Sequence, residues 1–221
     1  MSNTTAALRQ RTNMIEGQLR PNKVIDQRLL DVLAEVPREA FVPEEFKTVA
    51  YVDEAIDLGN GRSLIEPMVL ARLIQALEIK PDDIVLDIGA GTGYAAALLA
   101  KLAGTVVVVE EIPALSYIAM AQLQKLGRDN VAVVTNLLAA GYPKQAPYNA
   151  ILIEGAVETV PAGILEQIAE GGRLVAVESD KGPVGQATLW QRVGGVVSSR
   201  PLFDAGVKVL PGFAARAGFV F

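Results

Sequence analysis

Apolar and polar positions along this chain fall into two patterns, and the clearer one begins at Ile84. Ile84-Val85-Leu86-Asp87-Ile88 is a short apolar run that ends in glycines and leads into helix-compatible Tyr94 to Leu102. Thr105 to Val109 is β-branched and bounded by turns, and Pro113 then opens a second helical stretch through Leu126, at the position where a helix tolerates proline. Strands are expected over Val131 to Thr135, Ala150 to Ile153 and, after Gly171-Gly172, Arg173 to Val177, with a helix over Pro161 to Ala169. Apolar strands separated by helices are the mark of a parallel sheet covered on both faces.

The two ends read differently. Ile25, Leu29, Leu30, Leu33 and Val36 recur at helical spacing before Pro37, and Met68, Leu73, Ile74 and Leu77 mark a helix begun at Pro67. Thr188 to Val193, Gly194-Gly195 and Val196 to Phe203 read as two strands with no room for a crossover helix, so their pairing has to be antiparallel. The expected architecture is α/β and Rossmann-like: a mostly parallel sheet finished by a C-terminal antiparallel hairpin, with helices on both faces. One domain spans residues 1–221, with an N-terminal helical cap over 1–80, a core over 81–180 and antiparallel strands over 181–221.

Composition narrows the chemistry. At 221 residues the chain suits one well-buried domain, and its apolar fraction of 51% with 20% charged residues sets it apart from disordered chains. Twenty Lys+Arg against 25 Asp+Glu give a net charge of −5, which speaks against a broad phosphate-binding surface, so no nucleic-acid partner is expected. The absence of Cys and His removes thiolate nucleophiles, disulfides, the usual zinc sites and every Ser-His or Cys-His relay, and no metal is expected. The polar segment Met1 to Asn13 has no secretory pattern, and Ala95 to Val109 is interrupted by Lys101 and Gly104, short of the roughly 20 apolar residues that span a bilayer. The expectation is a cytoplasmic protein with no membrane partner.

Asp87-Ile88-Gly89-Ala90-Gly91-Thr92-Gly93 stands where the first strand turns into a helix. Three glycines at alternate positions let the backbone bend tightly and approach a ligand. Taken alone, the string is an ordinary glycine-rich loop. Its context is more specific, because Glu110 ends the next strand about 20 residues further on, where a carboxylate accepts hydrogen bonds from ribose hydroxyls. A nucleoside cofactor follows. The spacing G-x-G-x-G differs from the G-x-G-x-x-G that seats a pyrophosphate, which disfavours a nicotinamide-dependent oxidoreductase.

Val85 to Tyr94 resembles the first motif of class I S-adenosylmethionine-dependent methyltransferases. The resemblance implies S-adenosyl-L-methionine as cofactor, with Asp87 facing its positive end, Gly89, Ala90, Gly91 and Gly93 shaping the turn, and Glu110 on the ribose. Val36-Pro37-Arg38-Glu39-Ala40-Phe41-Val42-Pro43 is similar to the V-P-R-E-x-F-V-P signature of protein-L-isoaspartate O-methyltransferases. So are Ala146-Pro147-Tyr148-Asn149-Ala150-Ile151, the Pro161 segment with Leu165-Glu166-Gln167, and Gly171 to Val175. These blocks run in family order from about Met14 to about Phe213. The implied substrate is an isoaspartyl-containing protein or peptide, and residues 1–80 then include the substrate side of the site.

Departures from the family fall on functional positions. Where the family reads close to G-Q-T-I-S-x-P, this chain has Gly61-Arg62-Ser63-Leu64-Ile65-Glu66-Pro67, so Ile65 replaces the serine that touches the substrate. Ser63 points to the same side of an extended segment, roughly 6 to 7 Å along it, and either compensates or only caps the turn. Thr135-Asn136 replaces a Gly-Asp pair at the adenine. Asn136 still offers a donor and an acceptor, and Leu137 follows it in the candidate cofactor site. Glu154-Gly155-Ala156 replaces small residues after the fourth strand. Glu154 reads three ways: a charge repelling an acceptor carboxylate, a base for another acceptor, or an outward-facing residue.

Three functions stay open at this level: isoaspartyl methylation, methyl transfer to a changed acceptor, and a cofactor-binding protein without turnover. Val207 to Phe213 resembles the family's last strand, and a further short strand is expected within Ala214 to Phe221.

Overall fold

A computed structural model describes residues 2–179 and 184–213, with side chains from residue 6 onward. α1 (Ser2–Met14) runs into a π-helical turn at Ile15–Leu19. α2 (Gln27–Glu35) is capped by Asp26, whose carboxylate accepts from the amides of Arg28 at 2.9 Å and Leu29 at 3.3 Å. The helix buries Leu29, Leu30 and Leu33 and stops at Val36, which is extended because Pro37 follows. Ile25, read with that apolar stripe, precedes the cap and is exposed. Short 3-10 turns at Arg38–Phe41 and Glu44–Val49 lead to a hairpin, β1 (Ile56–Gly59) and β2 (Arg62–Leu64), which the sequence did not announce. α3 (Pro67–Leu77) starts on its proline as expected.

The remaining elements are β3 (Ile84–Ile88), α4 (Tyr94–Leu102), β4 (Thr105–Val109), α5 (Pro113–Lys125), β5 (Val131–Val134), β6 (Tyr148–Val157), α6 (Ala162–Leu165), β7 (Ile168–Glu178), β8 (Gly185–Val193) and β9 (Val196–Ala205). They build a seven-stranded sheet in the order β5-β4-β3-β6-β7-β8-β9. The first five of these run parallel, and β8 and β9 close the edge antiparallel. This is the expected α/β architecture. Alternate strand residues feed two cores. Val85, Val106, Ala150, Leu152 and Val175 pack under the helical N-terminal region and α4, while Leu86, Val107, Ile151, Ile153 and Leu174 pack with Leu138, Ile164 and Phe213 on the other face. Among the described residues no helix is long and apolar enough to cross a membrane.

One expected helix is largely replaced. Over Pro161 to Ala169 only the single turn α6 forms, and β7 already begins at Ile168. The carbonyls that a continued helix would use are taken elsewhere: Arg192 donates to the oxygens of Leu165 at 2.9 Å and Ile168 at 2.8 Å. Gln167 meanwhile donates to Ala140 and Gly163 and accepts from the Tyr142 amide at 2.9 Å. Val207 to Phe213 contributes one parallel bridge, Ala156 with Val209, rather than a full strand. The strand expected within Ala214 to Phe221 lies outside the described residues.

Candidate active site

The sheet order reverses direction at β3, which pairs with β4 on one side and β6 on the other. Crevices at the carboxyl ends of such strands are where α/β sheets bind ligands. Gly89, Gly91 and Gly93 fill that position with φ of 83°, 55° and 90°, a left-handed backbone open to glycine. The turn is pinned by Gly89 N donating to Val109 O at 2.8 Å and Gly93 N to Ala90 O at 2.8 Å, while Thr92 Oγ1 donates to Phe41 O at 2.6 Å. Ala90 is buried beneath it.

Asp87 and Glu154 lie on one face of the sheet. Asp87 pairs in register with Leu152, and Glu154 is two residues beyond, so both side chains join the face that carries Val85 and Leu152. Both are buried, and neither Asp87 oxygen nor Glu154 Oε1 has a hydrogen-bond partner from the protein's donors. Burial pushes both carboxyls above the ordinary range; Asp87 then raises Glu154 further, while the Glu154 carboxyl relieves Asp87. Burial and mutual repulsion thus disfavour the charged forms of the pair, with Asp87 pushed up to about 7. Burial of Glu154 excludes its outward-facing reading.

Glu110 is also buried, but satisfied. It accepts from the amides of Gly91 at 2.9 Å and Ile112 at 3.0 Å, and from Arg62 Nε and Nη2 at 3.3 Å. Arg62 Nη2 reaches Glu111 as well, at 3.2 Å, and its Nη1 is buried without a partner. The sequence does not single out Arg62: at the start of β2, directly after Gly61, nothing marks a buried charge, and only the hairpin fold brings it to Glu110. Arg38 was visible only as a member of the V-P-R-E block. It is fully buried, donates to Ala50 O at 2.8 Å and Ile65 O at 2.6 Å, and stacks over the Tyr94 ring at 5.0 Å. It thus ties the segment holding Ser63 and Ile65 to the first turn of α4.

Asn136 and Leu137 follow β5, beside the Glu110 end of β4, where Glu110 N donates to Val134 O at 3.1 Å. Asn136 Nδ2 donates to Gly141 O at 3.1 Å, leaving its carbonyl free for another donor, and Leu137 is 69% exposed. Ser63, Ile65 and Glu154 line one small cavity of about 10 Å³ with Gly155, Lys208 and Leu210. The Ser63 hydroxyl is buried there and has no partner. Leu210 closes this cavity and also the glycine turn: a Cβ at Gly89 would meet it at 2.9 Å and one at Gly155 at 2.7 Å. Leu58 covers Gly91 in the same way, at 2.8 Å.

The reversal point, the glycine turn and the buried carboxylate at the end of the next strand define an α/β protein of the nucleoside-cofactor, methyltransferase type. Residues 9–195 match the profile of the family described as protein-L-isoaspartate(D-aspartate) O-methyltransferase (PCMT). The protein-L-isoaspartate O-methyltransferase 2 of Anaeromyxobacter sp. (strain Fw109-5) is 40% identical over 180 residues, 81% of this chain and 73% of that one. The protein-L-isoaspartate O-methyltransferase of Herpetosiphon aurantiacus is 42% identical over 178 residues, 80% of this chain and 77% of its own. The chain belongs to the protein-L-isoaspartate(D-aspartate) O-methyltransferase family. Two solved structures share the fold. One titled protein-L-isoaspartate O-methyltransferase superposes with a TM-score of 0.81 at 24% identity, over 92% of this chain and 67% of that one. The other, a Plasmodium falciparum protein described as a putative member in complex with S-adenosyl-L-homocysteine, gives 0.76 at 18% identity, over 93% and 98%.

Proposed function

We propose that this chain transfers a methyl group from S-adenosyl-L-methionine to the free carboxylate of isoaspartyl residues in proteins. The observation that carries the reading is Asp87: a carboxylate buried at the floor of the glycine turn with both oxygens unpartnered calls for a cationic ligand. The donor set fits that cofactor, with Asp87 toward its positive end, Gly89, Ala90, Gly91 and Gly93 giving close backbone approach, and Glu110 toward the ribose. Asn136 and exposed Leu137 offer an edge and an apolar surface to the adenine. Bound S-adenosyl-L-methionine supplies an electrophilic methyl on a sulfonium. The chain's own task is alignment and exclusion of water, because an acceptor carboxylate is already a nucleophile and needs no base. That matches a chain with no histidine.

The test is transfer of labelled methyl to an isoaspartyl peptide, with the matched aspartyl peptide as control. Labelling confined to the isoaspartyl peptide is expected. Equal labelling of both, or none with cofactor binding intact, refutes the reading. Ile65, which removes the family hydroxyl, favours one second reading, transfer to a different acceptor, and a small-molecule acceptor panel separates the two.

A further inference from the structure

Three acceptor oxygens are buried without a donor on one face of the sheet: Asp87 Oδ1, Asp87 Oδ2 and Glu154 Oε1. Asp87 stands opposite Leu152 in register and Glu154 follows two residues later, so the two carboxyls come within hydrogen-bonding reach of each other. Among the described residues no ion pair reaches either. Arg38, the cation whose field reaches Glu154, gives Nε to Ala50 O and Nη2 to Ile65 O, and its Nη1 is itself without a partner. Arg62 is held by Glu110 and Glu111, and Lys208 borders the cavity beside Glu154 but is exposed. Buried carboxyls left in this state call for a cation that also donates hydrogen bonds. We propose that Glu154 is a cofactor-binding residue which, together with Asp87, clamps the α-ammonium on the amino-acid tail of S-adenosyl-L-methionine. This rests on the cofactor part of the proposed function, adds a residue to it, and is independent of the acceptor.

Hydrogen-bond chemistry selects the ammonium among the cofactor's cationic groups. A sulfonium has no N–H or O–H and would leave all three oxygens without a donor, whereas a primary ammonium carries three N–H donors. A metal ion would need further ligands, and among the described residues no group of three His, Cys, Asp or Glu side chains is placed to hold one. Space agrees, since the cavity bordering Glu154 measures about 10 Å³, enough for one water-sized group. So does position: β3 and β6 are neighbours at the point where the sheet order reverses, and the glycine turn begins two residues after Asp87. Burial and mutual repulsion disfavour both charges in the empty site, and a cation held between the carboxyls removes that repulsion. The small residues that the family carries after this strand offer no second charge, so the clamp belongs to this chain.

The test is binding rather than turnover. The full chain and its Glu154→Gln variant are titrated by calorimetry at neutral pH with S-adenosylhomocysteine, S-adenosylmethionine and 5′-methylthioadenosine. The last has the same adenosine and a thioether but no amino-acid tail. Glu154→Gln keeps the shape of the side chain and removes its charge. It is expected to weaken S-adenosylhomocysteine and S-adenosylmethionine alike, by about 10–100-fold, and to leave 5′-methylthioadenosine unchanged. Equal S-adenosylhomocysteine affinity in the two proteins overturns the clamp. So does an equal weakening of all three ligands, which marks a general disturbance of the site. A loss confined to S-adenosylmethionine places Glu154 at the sulfonium and overturns the ammonium assignment. Wild type that binds no S-adenosylhomocysteine refutes the cofactor reading and the clamp with it, whereas each of the other adverse results leaves the cofactor reading in place.

Discussion

Asp87 and Glu154 are both pushed above the ordinary carboxylate range, because burial and mutual repulsion disfavour two charges on one dry face of a sheet. Their raised values tie stability to pH with a definite sign. A carboxyl that is raised in the folded state stabilises the fold fully below its unfolded value, and this contribution is lost as pH rises through the folded value. Wild type without cofactor is therefore expected to lose stability relative to Glu154→Gln from about pH 4 upward, by about 1.4 kcal/mol per pH unit across the window. Urea unfolding of both proteins at several pH values checks this, and a constant difference between them would contradict the raised value of Glu154. Arg62 sets the opposite balance. Replacing it with Gln leaves Glu110 buried without its cation, which costs about 3–5 kcal/mol. The same change frees Glu110 for ribose hydroxyls, so the thermal shift produced by S-adenosylhomocysteine is expected to be larger in Arg62→Gln than in wild type. An equal shift would mean that the ribose never meets Glu110. Of these residues, Asp87 and Glu110 were legible in the sequence because a strand-turn-helix motif fixes their places. Arg62 and Arg38 were not, since their partners come from segments far away in the chain.

At the scale of elements, the strands and helices from β3 to β5 could be read directly, because each is uniformly apolar or opened by proline. The failures have a common cause. α6 is one turn long because Arg192, from β8, takes the carbonyls of Leu165 and Ile168, an interaction no local window contains. The β1–β2 hairpin is built on Gly59, Asn60 and Gly61, all with positive φ, between segments too short and polar to show a period. The C-terminal segment is held by two bonds to Ala156, Ala156 N to Lys208 O at 3.0 Å and Leu210 N to Ala156 O at 2.7 Å, and these deliver Leu210 to the glycine turn. Gly89 is required twice, by its φ of 83° and by the 2.9 Å approach of Leu210. Gly89→Ala is expected to destabilise the protein, and Leu210→Ala in the same chain to relieve the steric part. A double-mutant cycle should then show coupling of at least about 0.5 kcal/mol, whereas additive effects would mean that backbone strain alone excludes alanine.

Across the whole molecule, a parallel sheet with an antiparallel edge was predictable because uniformly apolar strands demand cover on both faces. The state of the site was not, because it depends on which distant segments lie over it. The glycine turn is buried under Leu58 from the hairpin and Leu210 from the C-terminal segment, and the cavity lined by Ser63 and Glu154 holds no more than about one water. A nucleoside cofactor enters such a site only after both covers move, and Leu210 shields the two halves together. Opening then precedes binding. The observed association rate of S-adenosylhomocysteine should level off with concentration at the opening rate, and Leu210→Ala should raise that ceiling by removing contacts made only in the closed form. Trp190, the sole tryptophan of the chain, packs in the same cluster as Leu210 and Phe213, so its fluorescence in stopped flow reports the movement. A rate that rises linearly with concentration and is indifferent to Leu210→Ala would show the turn to be open to ligand in solution, and the cover to have no part in admitting it.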